Sequence, residues 1–247
     1  MVSAAAKRPL GPDPTHYPVE DEMGESVLHK VIVHLLWTQV QRLLAGGDPP
    51  CFVGSNQFIY WVQYSPTRSV APDLYVLPGV PSDAAPKSWK VWETGVVPSF
   101  ALEVVSDDVR KDYEESPVRY AELGLRELVV FDPDSAASPD RVRWQVFRRL
   151  PRGGLSLVER TDGDGVRSEV LGCWLRAVGA GSSLRVRVAT GANGEELLPT
   201  EGESEHAAEQ RALEAERRAR DAERAQDAAQ AESAQLRAEL EQLRRGR

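Results

Sequence analysis

The run Ser99-Phe-Ala-Leu-Glu-Val-Val-Ser106 constrains the fold of this chain more than any other stretch. Its inner residues are all apolar except Glu103. A strand of that composition has no face to offer water, so it reads as the central strand of a sheet covered on both sides. The neighbouring segments supply what such a strand needs. Apolar residues at helical spacing (Leu28, Val31, Ile32, Leu35, Leu36, Val40, Leu43, Leu44) predict a helix over Glu25–Leu44, entered through acidic residues and closed by Gly46-Gly47. Strands are expected at Cys51–Val53, Gln57–Tyr64, Val70–Leu77 and Leu128–Phe131. Pro78–Gly95 reads as a loop with one helical turn, and Val109–Leu123 as a polar helix stopped by Gly124. Val142–Arg148, Leu155–Glu159 and Leu184–Ala189 alternate as antiparallel edge hairpins do, with Asp162-Gly163-Asp164-Gly165 as a turn. Helix, strands, central strand, helix, strand is the order of an α/β or α+β sheet with helical cover.

Both ends differ from this middle. Met1–Pro18 holds four prolines and no apolar stretch behind Lys7-Arg8, so it reads as a disordered leader and not as a signal peptide. Glu203–Arg245 contains neither Gly nor Pro and is rich in Ala, Glu, Arg and Gln, which predicts one long helix. A heptad frame puts Ala208, Ala215, Ala222, Ala229, Leu236 and Leu243 at d, and Ala212, Ala219 and Leu240 at a. Gln226 and Ser233 interrupt the a column. Small residues let helices approach closely but bury little area, so coiled coil and lone solvated helix both remain open, the former preferred.

A formal net charge of −8 excludes a general electrostatic hold on nucleic acid, and with it a constitutive architectural DNA-binding role. It does not exclude an enzyme whose site is itself built from carboxylates. Cys51 and Cys173 each sit among apolar neighbours and read as buried free thiols, which suits a reducing cytoplasm. The longest apolar stretch, Val31–Trp37, is interrupted by His34 and too short to span a bilayer.

The chemistry concentrates in two acids. Glu103 shares a strand face with Ala101 and Val105, where an unpaired carboxylate would cost several kcal/mol. It is therefore protonated, paired with an arginine, or bound to a cation. Asp73 poses the same problem inside Val70–Leu77. Two carboxylates facing one cavity repel unless a cation lies between them, and hard oxygen ligands suit Mg²⁺ or Mn²⁺. His29 and His34 read as packing residues of the first helix, and Trp89 and Trp92 as packing anchors, with base stacking as the alternative.

Met23-Gly24-Glu25-Ser26 with His29, then Ala71-Pro72-Asp73, Trp89 to Gly95 and Glu103-Val104-Val105-Ser106 occur in that order. Asp112, Tyr120, Gly124, Glu127 and Phe131-Asp132-Pro133 follow. The series resembles the large bacterial family of restriction-endonuclease-like proteins within the PD-(D/E)XK nuclease superfamily, over roughly residues 22 to 190. The resemblance implies a mixed sheet with flanking helices in a nuclease domain over 19–195, followed by a linker and helical or coiled-coil tail over 196–247. It implies Asp73 and Glu103 as ligands of Mg²⁺ or Mn²⁺, the Val105 carbonyl as a third, and Glu25 as a helix-borne acid. The implied reaction is metal-assisted hydrolysis of DNA phosphodiesters, with self-association through the tail as a possible partner interaction. The superfamily lysine two residues after the acid is Val105 here, and the alternative position, four residues after Asp112, is Ser116. Lys111 and Arg119 are the nearby cations, with Lys111 taken as the catalytic one. Ser116-Pro117 reads instead as a helix N-cap followed by Pro at the first helical position. The rival function is a catalytically degenerate fold serving as a nucleic-acid-binding or assembly module.

Overall fold

A computed structural model describes residues 15–18, 26–151 and 153–245. The chain divides into two compact units, Met1–Leu198 and Pro199–Arg247.

In the first unit, helix α1 (Val27–Leu44) begins where Ser26 accepts a hydrogen bond from the His29 N–H at 3.1 Å. It buries Ile32, Val33, Leu36, Gln39 and Val40, the stripe that helical spacing requires. Six strands follow one another across the main sheet in the order β1-β4-β6-β7-β8-β9. They are β1 (Cys51–Gly54), β4 (Leu74–Pro78), β6 (Phe100–Val104), β7 (Glu127–Phe131), β8 (Trp144–Arg149) and β9 (Leu155–Thr161). Within this sheet only β6 and β7 run parallel, joined by a π-helical turn (Lys111–Glu115) and helix α3 (Ser116–Leu123). The expected mixed sheet with helical cover is therefore present, with β6 interior to it.

The two faces of this sheet pack differently. Leu74, Val76, Phe100, Leu102, Val129 and Phe131 meet α1 and a second sheet, β10 (Gly165–Ser168), β11 (Cys173–Val178), β12 (Arg185–Thr190) and β13 (Glu196–Leu197). Tyr75, Leu77, Ala101, Leu128 and Val130 meet α3 and the surroundings of a small sheet. That small sheet holds β2 (Ile59–Tyr60), β3 (Ser69–Val70) and β5 (Trp89–Lys90), the last leading into the short helix α2 (Val91–Thr94).

Several expectations change. Gln57–Tyr64 is a strand only at Ile59–Tyr60, and Val70–Leu77 is broken at Ala71-Pro72-Asp73. Pro72 has no N–H to give a ladder, so the chain bends there. The Asp162–Gly165 turn closes no hairpin: it passes the chain from β9 in the main sheet to β10 in the second. Ser116 is not an N-cap. It is helical (φ −58°, ψ −47°), because the π turn already delivers the chain in helical conformation and no new start is needed. Within the stretch read as a leader, Tyr17 is buried against Tyr60 and Trp92, and its hydroxyl accepts the Tyr64 N–H at 2.8 Å. Tyr17 is thus held by an aromatic cluster, while the rest of the expected leader, 1–14, lies outside the described residues.

In the second unit α4 (Glu201–Arg245) is the expected long helix, of 45 residues. Thr200 caps it, its hydroxyl accepting the Glu203 N–H while the Glu203 carboxylate accepts the Thr200 N–H. Among the described residues no helix is long and apolar enough to cross a membrane.

Candidate functional site

Asp73 stands at the bend that Pro72 makes, one residue before β4. β4 pairs with β6 so that Leu74 faces Leu102. Continuing that register by one residue sets Asp73 opposite Glu103, an arrangement of like charges that a sheet does not adopt for stability. Both side chains line one cavity of about 630 Å³, together with His29, Val105, Lys111, Asp112, Ser116 and Arg119. The fold thus brings the two acids marked in the sequence to one cavity. Glu25 lies outside the described residues.

Each acid is held by hydrogen bonds from neighbouring groups, and Asp73 also by His29. Asp73 Oδ1 lies 2.8 Å from His29 Nε2, and Oδ2 accepts the Val104 N–H at 2.6 Å. Glu103 Oε1 accepts the Tyr120 hydroxyl at 2.5 Å. Asp112, on the π turn, accepts the Ser106 N–H at 2.8 Å and the Ser106 hydroxyl at 2.9 Å. Among the described residues, none of these three carboxylates has a lysine or arginine ion-pair partner.

The electrostatics follow. Burial, and then the facing Asp73 carboxylate, push Glu103 well above the ordinary carboxylate range, while the Tyr120 hydrogen bond and Lys111 pull it back. Asp112 is raised too, chiefly by burial, with Ser106 and Lys111 opposing. Lys111 thus acts on both acids. Among the described residues, seven carboxylates line the cavity against two permanent cations, Lys111 and Arg119. Arg119 is exposed and donates to the Ser69 carbonyl at 3.3 Å.

The same core shows how a buried acid is treated when its role is structural. Glu127, fully buried, receives Arg148 Nε at 2.8 Å, the Ser168 hydroxyl and the Glu169 N–H. Asp132, also fully buried, receives Arg141 through two bonds of 2.6 and 2.7 Å. The structural ion pair weighed for Glu103 is therefore realised at Glu127 and Asp132 and not at Glu103.

The other sequence-marked residues fall away from the site. His34 is exposed and stacks on Trp37. Trp89 is buried and donates to the Val96 carbonyl, and Trp92 packs in the Tyr17 cluster, so both are packing anchors. Cys51 and Cys173 are free thiols, and burial pushes Cys173 up to about 12. What residue-by-residue reading missed is the contact of His29 with Asp73, of Tyr120 with Glu103 and of Ser106 with Asp112. These residues stand within the motif series, but their pairing depends on chain separations that no local pattern records.

The donor set can be tested against a hard cation. Asp73 accepts two hydrogen bonds and Glu103 one, and a carboxylate offers about four lone-pair sites, so each keeps acceptor capacity. Val105 lines the cavity, its own N–H spent on the Phe131 carbonyl at 2.8 Å. The set fits an oxygen-ligated cation in composition and in its deficit of positive charge. Among the described residues, however, no group of three or more His, Cys, Asp and Glu side chains is arranged to enclose a metal by itself.

No curated protein matches the chain. Among solved structures, one of a putative nuclease from Anabaena variabilis is 13% identical, over 60% of this chain and 75% of that one, with a TM-score of 0.43. A family model described as Uma2, putative restriction endonuclease, matches residues 18–178. That span is well over half of the chain and includes every residue of the carboxylate cavity, so the protein belongs to the Uma2 family of putative restriction endonucleases.

Proposed function

We propose that the protein is a metal-dependent endonuclease that hydrolyses phosphodiester bonds of DNA. The observation that carries this is the unequal treatment of acids in one core: Glu127 and Asp132 receive arginines, whereas Asp73 and Glu103 face each other across a cavity without one. Family membership supports a nuclease-like activity.

In this reading Asp73, Glu103 and the Val105 carbonyl hold a magnesium or manganese ion, with Glu25 as a further candidate acid. Such an ion, when bound, polarises a phosphate oxygen and lowers the pKa of a coordinated water. His29 and the Val104 N–H fix the Asp73 carboxylate, and Tyr120 fixes that of Glu103, so neither must reorganise to receive charge. Lys111 supplies the positive charge that orients the attacking water and stabilises the developing phosphorane. Leu28, Phe58 and Val70 add apolar surface to the cavity wall.

A second reading has its own observation. Ser116 occupies the position at which the family resemblance expects a lysine, which fits a degenerate nuclease fold kept for binding or assembly.

One experiment separates them. Supercoiled and linear DNA are incubated with the purified chain under titrated Mg²⁺ and Mn²⁺, beside Asp73→Ala and Glu103→Ala. The nuclease reading expects cleavage that either substitution lowers by at least about 100-fold. Cleavage that survives both would place the activity elsewhere. A parent inactive with either metal, and activated by Ser116→Lys, would establish the degenerate reading.

A further inference from the structure

The Lys111–Glu115 segment is a π turn, and the Ser116 N–H bonds the Lys111 carbonyl five residues back instead of four. One extra residue is thus folded into the helix that carries the cavity's basic side chains. The consequence is geometric. In an α-helix residues five apart point in different directions, whereas across a π turn they stand above one another as i and i+4 do. Lys111, Ser116 and Arg119 all line the cavity, as do Asp112 and Glu115 between them. Ser116 is buried and small, and a lysine stem spans about one helical pitch, about 5 Å.

A π turn is rare and occurs mostly as a single turn within an α-helix, and here side chains of the turn tie it to its surroundings. Two consecutive residues do so, in opposite directions. Asp112 is tied to Ser106 at the end of β6. Tyr113 reaches the β7–β8 connection, where its hydroxyl donates to Asp132 Oδ2 at 2.7 Å and accepts the Val142 N–H at 3.0 Å. Asp132 is itself fully buried and gripped by Arg141 at 2.6 and 2.7 Å, so the acceptor is rigid. Burial raises the Tyr113 phenol to about 12, which keeps it a donor throughout the physiological range.

We infer that Tyr113, anchored on the Asp132–Arg141 pair, is a positioning residue that locks the π register and thereby places Lys111 in the carboxylate cavity, where it stands in for the lysine absent from position 116. This rests on the metal-nuclease reading for its catalytic part, while the locking of the register stands on its own. Tyr113 touches none of the reacting groups. Its effect is transmitted only through the segment that carries Lys111.

The test is a double-mutant cycle on the full chain, joined to a measurement that does not need activity. Tyr113→Phe keeps the ring and removes the hydroxyl. With DNA and Mn²⁺, its kcat is expected to fall by about tenfold or more at little changed KM, since misplacement of about 1 Å already costs on that scale or beyond. In a Lys111→Ala background the same substitution should change kcat by less than about twofold, because the group it positions is gone. An equal loss in both backgrounds, or parent-like kcat in Tyr113→Phe alone, would overturn the inference. In parallel, amide hydrogen exchange at Ser116 should accelerate by about tenfold or more in Tyr113→Phe, and unchanged exchange would overturn the locking role. If the parent cleaves nothing, the nuclease reading falls and the exchange arm alone decides for or against the lock. Should Tyr113→Phe fail to fold, Arg141→Lys, which keeps the charge but removes the two-bond grip that makes Asp132 a rigid acceptor, enters the same cycle and is judged by the same outcomes.

Discussion

Placing Glu103 opposite Asp73 costs the fold stability, and that cost has a measurable sign. A carboxyl group whose pKa is higher in the folded than in the unfolded state binds its proton more tightly when folded. Its contribution is fully present below the unfolded value, near 4.5 for Glu103, and is lost as pH rises through the folded value. Asp112 acts in the same direction from its ordinary 3.8 upward. Metal-free protein, held in chelator, should therefore lose stability as pH is raised from about 4.5. Glu103→Gln removes the repulsion while keeping an acceptor for Tyr120, so it should melt higher than the parent at neutral pH and show a flatter pH profile, while losing the proposed cleavage. Thermal melts across pH 4 to 8 check this, and a Glu103→Gln variant less stable than the parent at neutral pH would refute it. The exchange of stability for a charged site is the usual one. Glu127 and Asp132 show the alternative, since each buried charge there is matched by a guanidinium at hydrogen-bonding distance.

At the scale of elements, the sheet depends on one close approach. Gly54 pairs with Tyr75 across β1 and β4, and a Cβ on Gly54 would lie 2.2 Å from the Tyr75 ring. Tyr75 is fully buried, and its hydroxyl donates to Gln57 at 2.8 Å, so the ring has nowhere to move. Gly54→Ala should cost about 1–3 kcal/mol, read as a lower denaturation midpoint at unchanged slope. A midpoint within error of the parent's would mean that the ring yields. Such a contact explains what the sequence could and could not disclose. Strand β6 was legible because its apolar run is a local signal, and α1 because its stripe repeats within a few residues. Strands β10 and β11 were not, because Gly165-Val-Arg-Ser168 becomes a strand through pairing with Cys173–Val178, which in turn pairs with β12. The site divides in the same way. An acid within an apolar run marks Asp73 and Glu103 locally, whereas the hydrogen bond from His29 to Asp73 joins residues 44 apart, and Tyr120 reaches Glu103 across 17. The π turn was hidden for another reason: Val109–Leu123 carries helical composition, and a single extra residue in one turn leaves that composition unchanged.

The largest scale concerns the long helix α4. Its 45 residues correspond to about 68 Å of helix, and nearly all of its described side chains are exposed. It draws support from local sources, including alanine-rich composition and the i,i+4 pairs Glu214–Arg218 at 3.8 Å and Glu216–Arg220 at 2.5 Å. Pairs of this kind contribute only about 0.2–0.5 kcal/mol each, so a partner along the Ala208–Leu236 seam would add what the lone helix lacks. Alanine at most a and d positions limits the area buried per layer, which predicts weak, concentration-dependent self-association and not a permanent assembly. Sedimentation velocity over a 100-fold range of concentration should show the full chain moving from monomer towards a larger species. Leu236→Glu, which puts a charge in the seam at a residue 54% exposed in the single chain, should hold it monomeric without lowering DNA cleavage. Far-ultraviolet dichroism gives the companion reading: helical signal should rise with concentration in the parent and stay level in Leu236→Glu. A parent that remains monomeric throughout, with a helical signal independent of concentration, would assign α4 to the solvated state. The alanine column would then report helix propensity alone, with no partner helix behind it.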